Sequence, residues 1–299
     1  MKKNIFFILL ALCLSVSVSY AQSATPYTKG TVIESLKLSS SFLGRENKFS
    51  IYLPPDYNTS QRRYPVVYLL HGYSDNELGW IQLGEANRTA DKLIAAGEIP
   101  DMIIVMPDGQ NSWYVNQEVG NEKYADFFIK EFIPFIDKTY RTKAEKGFRA
   151  ISGLSMGGYG SALFSLKNLN IFQSCAGLSS AVRTDEEAME LPDADFNSRF
   201  DKIYGVNLKG KDRVGEKWQQ NSVLNLMNTT PLDSLKKVRW YFDCGDDDFL
   251  FRGNDALHTL MRKRNIPVEF RMRDGAHTWE YWRTGLVEAL KFIGNGFKH

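Results

Sequence analysis

Cysteine is scarce in this chain. Only Cys13, Cys175 and Cys244 occur in 299 residues. A disulfide-dense scaffold is therefore excluded. No Cys/His cluster has ligand spacing, so no metal site is expected. Histidine is equally sparse, with His71, His258, His277 and His299. An excess of charge is also missing: 37 basic residues face 35 acidic ones, a formal net charge of +2. Without a basic run to track a phosphate backbone, nucleic-acid binding is not expected. After the first twenty residues no apolar stretch approaches the roughly 18 residues of a membrane span. Internal repeats, low-complexity tracts and a Pro/Ser-rich linker are all lacking. Residues 22–299 therefore read as one domain near the upper size for a single core, without an appended binding module.

What is present begins at the N-terminus. Lys2 and Lys3 precede an apolar run from Ile5 to Val18, and Ser19-Tyr20-Ala21 offers small residues for cleavage. Residues 1–21 read as a signal peptide, so a secreted or periplasmic location is expected. Leu12 is too bulky for a lipoprotein signal centred on Cys13. Aromatic residues are abundant, with six Trp and fourteen Tyr. Most should fill a core, and the remainder fit stacking against flat or sugar-like ligands.

Strand and helix signals alternate along the chain. Thr31–Ser39 and Lys48–Leu53 read as a hairpin about a turn at Gly44-Arg45-Glu46-Asn47. Tyr64–Leu70, Met102–Met106, Phe148–Ser152, Phe172–Leu178, Val238–Cys244 and Val268–Arg271 read as strands, the continuous apolar ones buried on both faces. Helices are expected at 85–96, 122–138, Gly157–Lys167, Ala256–Arg264 and Trp279–Ile293. The pattern predicts a mostly parallel sheet with helices on both faces and an antiparallel N-terminal edge. Residues 181–235 interrupt it. They are polar and weakly periodic, and they fall before the strand ending at Cys244, so they read as a lid or binding insertion, with a helical crossover as the alternative. The strand reading sets Cys175 and Cys244 four residues apart in level. Roughly 13 Å of strand rise would then separate them, so two free thiols are expected.

Gly153-Leu154-Ser155-Met156-Gly157 matches G-x-S-x-G, with a hydrophobic strand directly before it and a small-residue helix directly after. Such a turn strains the serine backbone and lifts its hydroxyl above the strand ends. The following helix aims its N–H groups at a developing oxyanion. Ser155 is the candidate nucleophile. His71-Gly72-Tyr73 follows the first central strand, where a second oxyanion donor belongs. The donors are read as the backbone N–H groups of Tyr73 and Met156.

Elimination selects the base. His299 is terminal, His258 lies inside a helix, and His71 sits where it would brace its loop. His277 follows the last strand in Asp274-Gly275-Ala276-His277 and is the candidate. The acid should follow the preceding strand, in Asp243-Cys244-Gly245-Asp246-Asp247-Asp248. Asp243 is still inside the strand, and Asp246 and Asp247 lie on the turn. Asp248 is best placed to reach back, although spacing leaves Asp247 open.

Together these stretches resemble the esterase D-like family of α/β hydrolases, and most nearly carbohydrate esterase family 1. The resemblance covers roughly residues 30–296. It rests on Leu69-Leu70-His71-Gly72, on Gly153–Gly158, on Cys244–Asp248 and on Gly275–Arg283. It implies an α/β-hydrolase fold, a cofactor-free carboxylic ester hydrolase and an acid three residues after Gly245, hence Asp248. It also implies an aromatic residue after the base, matched by Trp279 and Trp282. Among the family's substrates, export and aromatic richness favour feruloyl or acetyl esters on xylan-type oligo- or polysaccharide over cytosolic formylglutathione. An acyltransferase using the same three residues, or a non-catalytic binder, are the alternatives. Gln110-Asn111-Ser112-Trp113-Tyr114 follows a central strand and is read as a substrate-contact loop, with Gln110, Trp113 and Trp279 as candidate contacts.

Overall fold

Strands long enough to cross a sheet follow one another from residue 31 onward. The computed structural model describes residues 29–297. The signal-peptide reading and His299 lie outside the described residues. Eight strands form one sheet: β1 (Thr31–Ser40), β2 (Arg45–Leu53), β3 (Val66–Leu70), β4 (Ile103–Pro107), β5 (Arg149–Leu154), β6 (Ser174–Leu178), β7 (Arg239–Gly245) and β8 (Val268–Arg273). Their spatial order is β1-β2-β4-β3-β5-β6-β7-β8. The β1–β2 and β2–β4 pairs are antiparallel, and every later pair is parallel. This is the mostly parallel sheet with an antiparallel N-terminal edge expected from the alternation, and it is the α/β-hydrolase fold that the resemblance implies.

Both faces of the central strands are buried, because their side chains alternate between two cores. Tyr68, Val105, Ile151 and Phe242 enter one core with Phe128 and Phe164. Val67, Leu69, Ile104 and Tyr241 enter the other, beneath the Ala86–Ala95 and Trp279–Gly296 helices. No helix among the described residues is long and apolar enough to cross a membrane. Cys175 pairs in register with Trp240, four residues before Cys244, and both thiols are buried and free.

Three local expectations need correction. The hairpin turn is Ser41–Gly44 rather than 44–47, because Gly44 (φ 64°) donates back to the Ser40 carbonyl at 3.0 Å and closes it early. The helix over 122–138 is broken into Tyr124–Asp126, a widened π-turn at Phe127–Phe132, and Ile133–Thr139. Pro134 lies inside it, lacks an N–H and crowds the carbonyl of the preceding turn, so that turn opens. Residues 181–235 are mostly helical rather than irregular, with helices at Asp185–Glu190, Asp193–Tyr204, Glu216–Asn221, Val223–Thr229 and Leu232–Leu235. Phe196, Phe200 and Trp218 of this segment join the first core.

Candidate active site

The serine comes first because its backbone is the most constrained. Ser155 caps the Met156–Lys167 helix with φ 53° and ψ −117°. Its N–H donates to the Leu178 carbonyl at 2.9 Å, and its own carbonyl accepts from Ala181 at 2.9 Å. A Cβ on Gly157 would sit 2.4 Å from the Leu70 carbonyl oxygen, and one on Gly153 would sit 2.6 Å from Gly157. The motif glycines are therefore places where β3, β5 and the helix touch backbone to backbone. Other non-glycine residues around this rim also have positive φ, among them Ser74, Gln110, Trp113, Tyr114 and Ser179. Strain collects here, as it does at functional sites generally.

His277 reaches the serine from the loop after β8. Its Nε2 lies 2.9 Å from Ser155 Oγ, and its Nδ1 lies 2.9 and 3.1 Å from the two carboxylate oxygens of Asp248. The ring packs against Phe249 on one side and edge-on to Trp282 on another. Trp282 is anchored by its indole N–H, which donates to Ser179 Oγ at 3.0 Å. The Asp248 side chain is fully buried. Burial alone would raise its carboxyl. Hydrogen bonding to His277, with help from the Leu250 N–H and Ser179, outweighs that and holds it below the usual carboxylate range.

The competing aspartates have other partners. Asp246 accepts from the Gly275 N–H at 3.1 Å, and the Asp247 N–H donates to the Gly275 carbonyl at 3.1 Å, so these two fasten the loop after β7 to the loop after β8. Asp243 is buried on the other side of the strand, accepting from Tyr241, Tyr281 and Arg273. His71 points away from the serine and ties its own loop to the loop after β4. Its Nδ1 lies 2.7 Å from the Gly72 carbonyl, and its Nε2 accepts from the Gly109 N–H at 2.7 Å. His258 stacks on Phe270, away from the serine.

A cleft of about 370 Å³ opens over Ser155 and His277. Gly72 and Tyr73 line it, and a Cβ on Gly72 would lie 3.5 Å from Ser155 Cβ, so that backbone runs directly beside the hydroxyl. Met156, at the helix start, is fully buried. Trp279 also lines the cleft. Gln110 lines a neighbouring chamber instead. Trp113 is only 4% exposed and packs against Phe200 beneath the surface, so the loop carrying it presents Gln110 and Asn111 outward and turns Ser112, Trp113 and Tyr114 in.

The family described as "Putative esterase" matches residues 40–293. The chain belongs to this esterase family. It is a carboxylic ester hydrolase, and its relatives include proteins of both kinds favoured under the resemblance. The endo-1,4-beta-xylanase/feruloyl esterase of Xylanibacter ruminicola is 36% identical over 162 residues, which is 52% of this chain and 22% of that protein. The acetyl esterase of Caldicellulosiruptor saccharolyticus is 27% identical over 235 residues, covering 78% of this chain and 82% of that one. A solved ferulic acid esterase superposes with a TM-score of 0.77 at 30% identity, over 90% of this chain and 99% of that chain.

Three residues of the esterase's cleft escaped the sequence reading. Phe249, 61% exposed, packs on the His277 ring. Leu83 is a second exposed apolar wall. Arg199 enters from the 181–235 segment and lies over the Tyr73 ring at 5.8 Å. A Phe directly after Asp248 was the one available signal. Arg199 had none, because its helix sits far from the motifs in sequence.

Proposed function

We propose that this esterase hydrolyses feruloyl or acetyl esters of plant cell-wall polysaccharide through an acyl-enzyme. Ser155 Oγ attacks the ester carbonyl while His277 Nε2 takes its proton. Asp248 accepts the Nδ1–H, which leaves Nε2 free to act as base and stabilises the imidazolium. The N–H groups of Tyr73 and Met156 receive the oxyanion, each contributing roughly 3 kcal/mol to the transition state. Collapse breaks the acyl–oxygen bond, and His277 returns the proton to the departing alcohol. Water, deprotonated by His277, then releases the acid and restores Ser155.

The single observation behind this reading is that one imidazole bridges the Ser155 hydroxyl and a buried carboxylate, with 2.9 Å contacts on both sides. The apolar end of the cleft, at Leu83, Phe249 and Trp279, suits a flat or short acyl group. The choice of feruloyl or acetyl draws on the named relatives, and that of a cell-wall polysaccharide on the signal-peptide reading of residues 1–21. The 181–235 segment is proposed to roof the cleft through Arg199.

Methyl ferulate and 4-nitrophenyl acetate test the chemistry. The parent chain should cleave them and be labelled by a fluorophosphonate probe. Ser155→Ala should lose at least about 10⁴-fold in kcat and all labelling. Retained turnover in that variant removes Ser155 from the role.

A further inference from the structure

The sheet has two free edges, and they are finished differently. β1 ends it on one side and β8 on the other, and among the described residues no further strand pairs with either. β1 is blunted. Its register against β2 breaks between Ile33 and Leu36, where Ser35 has φ 51°. Such a bulge twists an edge away from any further strand. β8 carries no such device. Its register against β7 runs unbroken from Val268–Trp240 to Arg273–Gly245, and no proline lies inside it.

The backbone and the side chains of β8 both fit a second copy of β8. The Arg273 carbonyl accepts from the Asp246 N–H, just past β7. Amides alternate in direction along a strand, so those of Glu269 and Arg271 also face β7. Those of Val268, Phe270 and Met272 face outward, free to bond. Glu269 and Arg271 stand exposed on one face of the strand, 3.1 Å apart. The Trp279–Gly296 helix packs over β6 and β7 and leaves that part of the face open. On the other face Val268 and Phe270 meet the first core, while Met272 is 46% exposed.

A two-fold axis through this edge sets β8 antiparallel to its copy, and charge selects the centre. Centred on Glu269 or on Arg271, the pairing would put like charges face to face, which destabilises a ladder. Centred on Phe270, it puts Glu269 opposite Arg271 on both sides of the axis. Phe270 then meets Phe270, Val268 meets Met272, and the outward amides of these residues face each other. We propose that β8 is a self-association edge, joining two copies of this chain into one continuous sheet about an axis at Phe270. This surface lies outside the catalytic triad and does not depend on the ester chemistry.

Sedimentation equilibrium reads the monomer–dimer Kd. Glu269→Arg alone, or Arg271→Glu alone, sets like charges across the axis twice and should raise Kd at least about tenfold. The double exchange, Glu269→Arg with Arg271→Glu, restores opposite charges in the same register. It should return Kd to within about threefold of the parent. Crosslinking then reads the register. Phe270→Cys brings two thiols to the axis, about 5.5 Å apart at Cα, and oxidation should give a covalent dimer. Glu269→Cys should not, because its counterpart lies two residues further along. Cys175 and Cys244 are buried, so the parent serves as the blank. Turnover of 4-nitrophenyl acetate shows that each variant is folded. A parent that stays monomeric on the order of 100 µM overturns the self-association edge. So does a dimer that the single reversals leave unchanged or that the double exchange fails to restore. A folded Phe270→Cys dimer that does not crosslink overturns it as well.

Discussion

Two walls meet at the cleft, and they are built in different ways. The rim wall stands on strand ends. Ser155 comes directly after β5, Asp248 three residues after β7, and His277 four residues after β8. Backbone hydrogen bonds tie these loops to each other, as with Ser155 to Leu178 and Asp247 to Gly275. The opposite wall, residues 181–235, has backbone ties at Ala181 and Lys202 and is otherwise held by side chains. Arg213, 1% exposed, reaches the carbonyls of Ala188, Met189, Leu191 and Leu208, pairs with Asp193 and lies over the Phe196 ring. Backbone ties locate the rim to within a hydrogen bond. Side-chain ties locate the other wall through one arginine and a few aromatic rings. The rim is therefore expected to fail through chemistry, and the helical wall through packing and selectivity.

Two aspartates from the rim, five residues apart, give the sharpest contrast. Asp248→Asn offers His277 a group that can no longer hold the Nδ1 proton as an anion does. Expected is a loss of roughly 10⁴-fold in kcat with a loss of thermal stability much smaller than that of Asp243→Asn. Asp243→Asn removes the anion that Arg273, Tyr241 and Tyr281 share in the core. Expected is a loss of about 3 kcal/mol, a drop in Tm of roughly 5–10 °C, and kcat within about tenfold of the parent. Thermal melts and initial rates on the two variants decide it. An Asp243→Asn chain that is fully stable but inactive would reverse the roles.

Glycines extend the contrast to the backbone. Gly157→Ala must push a methyl into the Leu70 and His71 carbonyls, at 2.4 and 2.6 Å. Expected is a loss above about 3 kcal/mol, or failure to fold. Gly210 in the helical wall has nothing within 4 Å of its would-be Cβ, only a φ of 49°. Gly210→Ala should cost about 1 kcal/mol. Equal costs in denaturant unfolding would erase the distinction between the walls. Arg213→Met then probes the helical wall itself. Its carbonyl contacts vanish while the volume is largely kept, and about 2–4 kcal/mol of local stability should go. Amide exchange should accelerate across 185–215 while β3 and β5 keep their protection. Protection lost evenly over both would mean that the wall and the sheet unfold as one unit.

How much of this could be read beforehand follows the same division. The rim was legible because strand ends leave marks: an apolar run, then Gly or Asp, then the reactive side chain. That sufficed to bring Ser155, His277 and Asp248 together across 122 residues of chain. The hairpin turn slipped by three residues because Gly44 could serve either register, and the Ser40–Gly44 hydrogen bond chose between them. The helical wall was opaque. Its apolar positions Phe196, Phe200 and Ile203 do follow a helical period, but the intervening polar residues hide it. Nothing local marks Arg199 or Asp201 as facing a chamber, or Arg213 as a buried hub, since an arginine's usual place is the surface. Trp113 misled for the opposite reason. It looks like a ligand platform in a polar loop, yet it is drawn inward by Phe200, Tyr73 and Tyr159, residues that only the fold brings near.

The smallest expected effect concerns acid. The Asp248 carboxyl is held low in the folded chain, so folding is favoured by its ionised form. The sign follows from that direction. Its contribution is complete above the ordinary aspartate value of about 3.9, begins to fade as pH falls below it, and is gone once the folded-state carboxyl itself is protonated. Asp248→Asn lacks this linkage. The stability difference between parent and variant should therefore be constant from neutral pH down to about 4 and shrink below that, as read by urea midpoints at several pH values. Parallel curves for parent and Asp248→Asn down to the lowest pH would mean that the hydrogen bonds around Asp248 do not distinguish its charged form. The rim's hold on its acid would then be geometric rather than electrostatic.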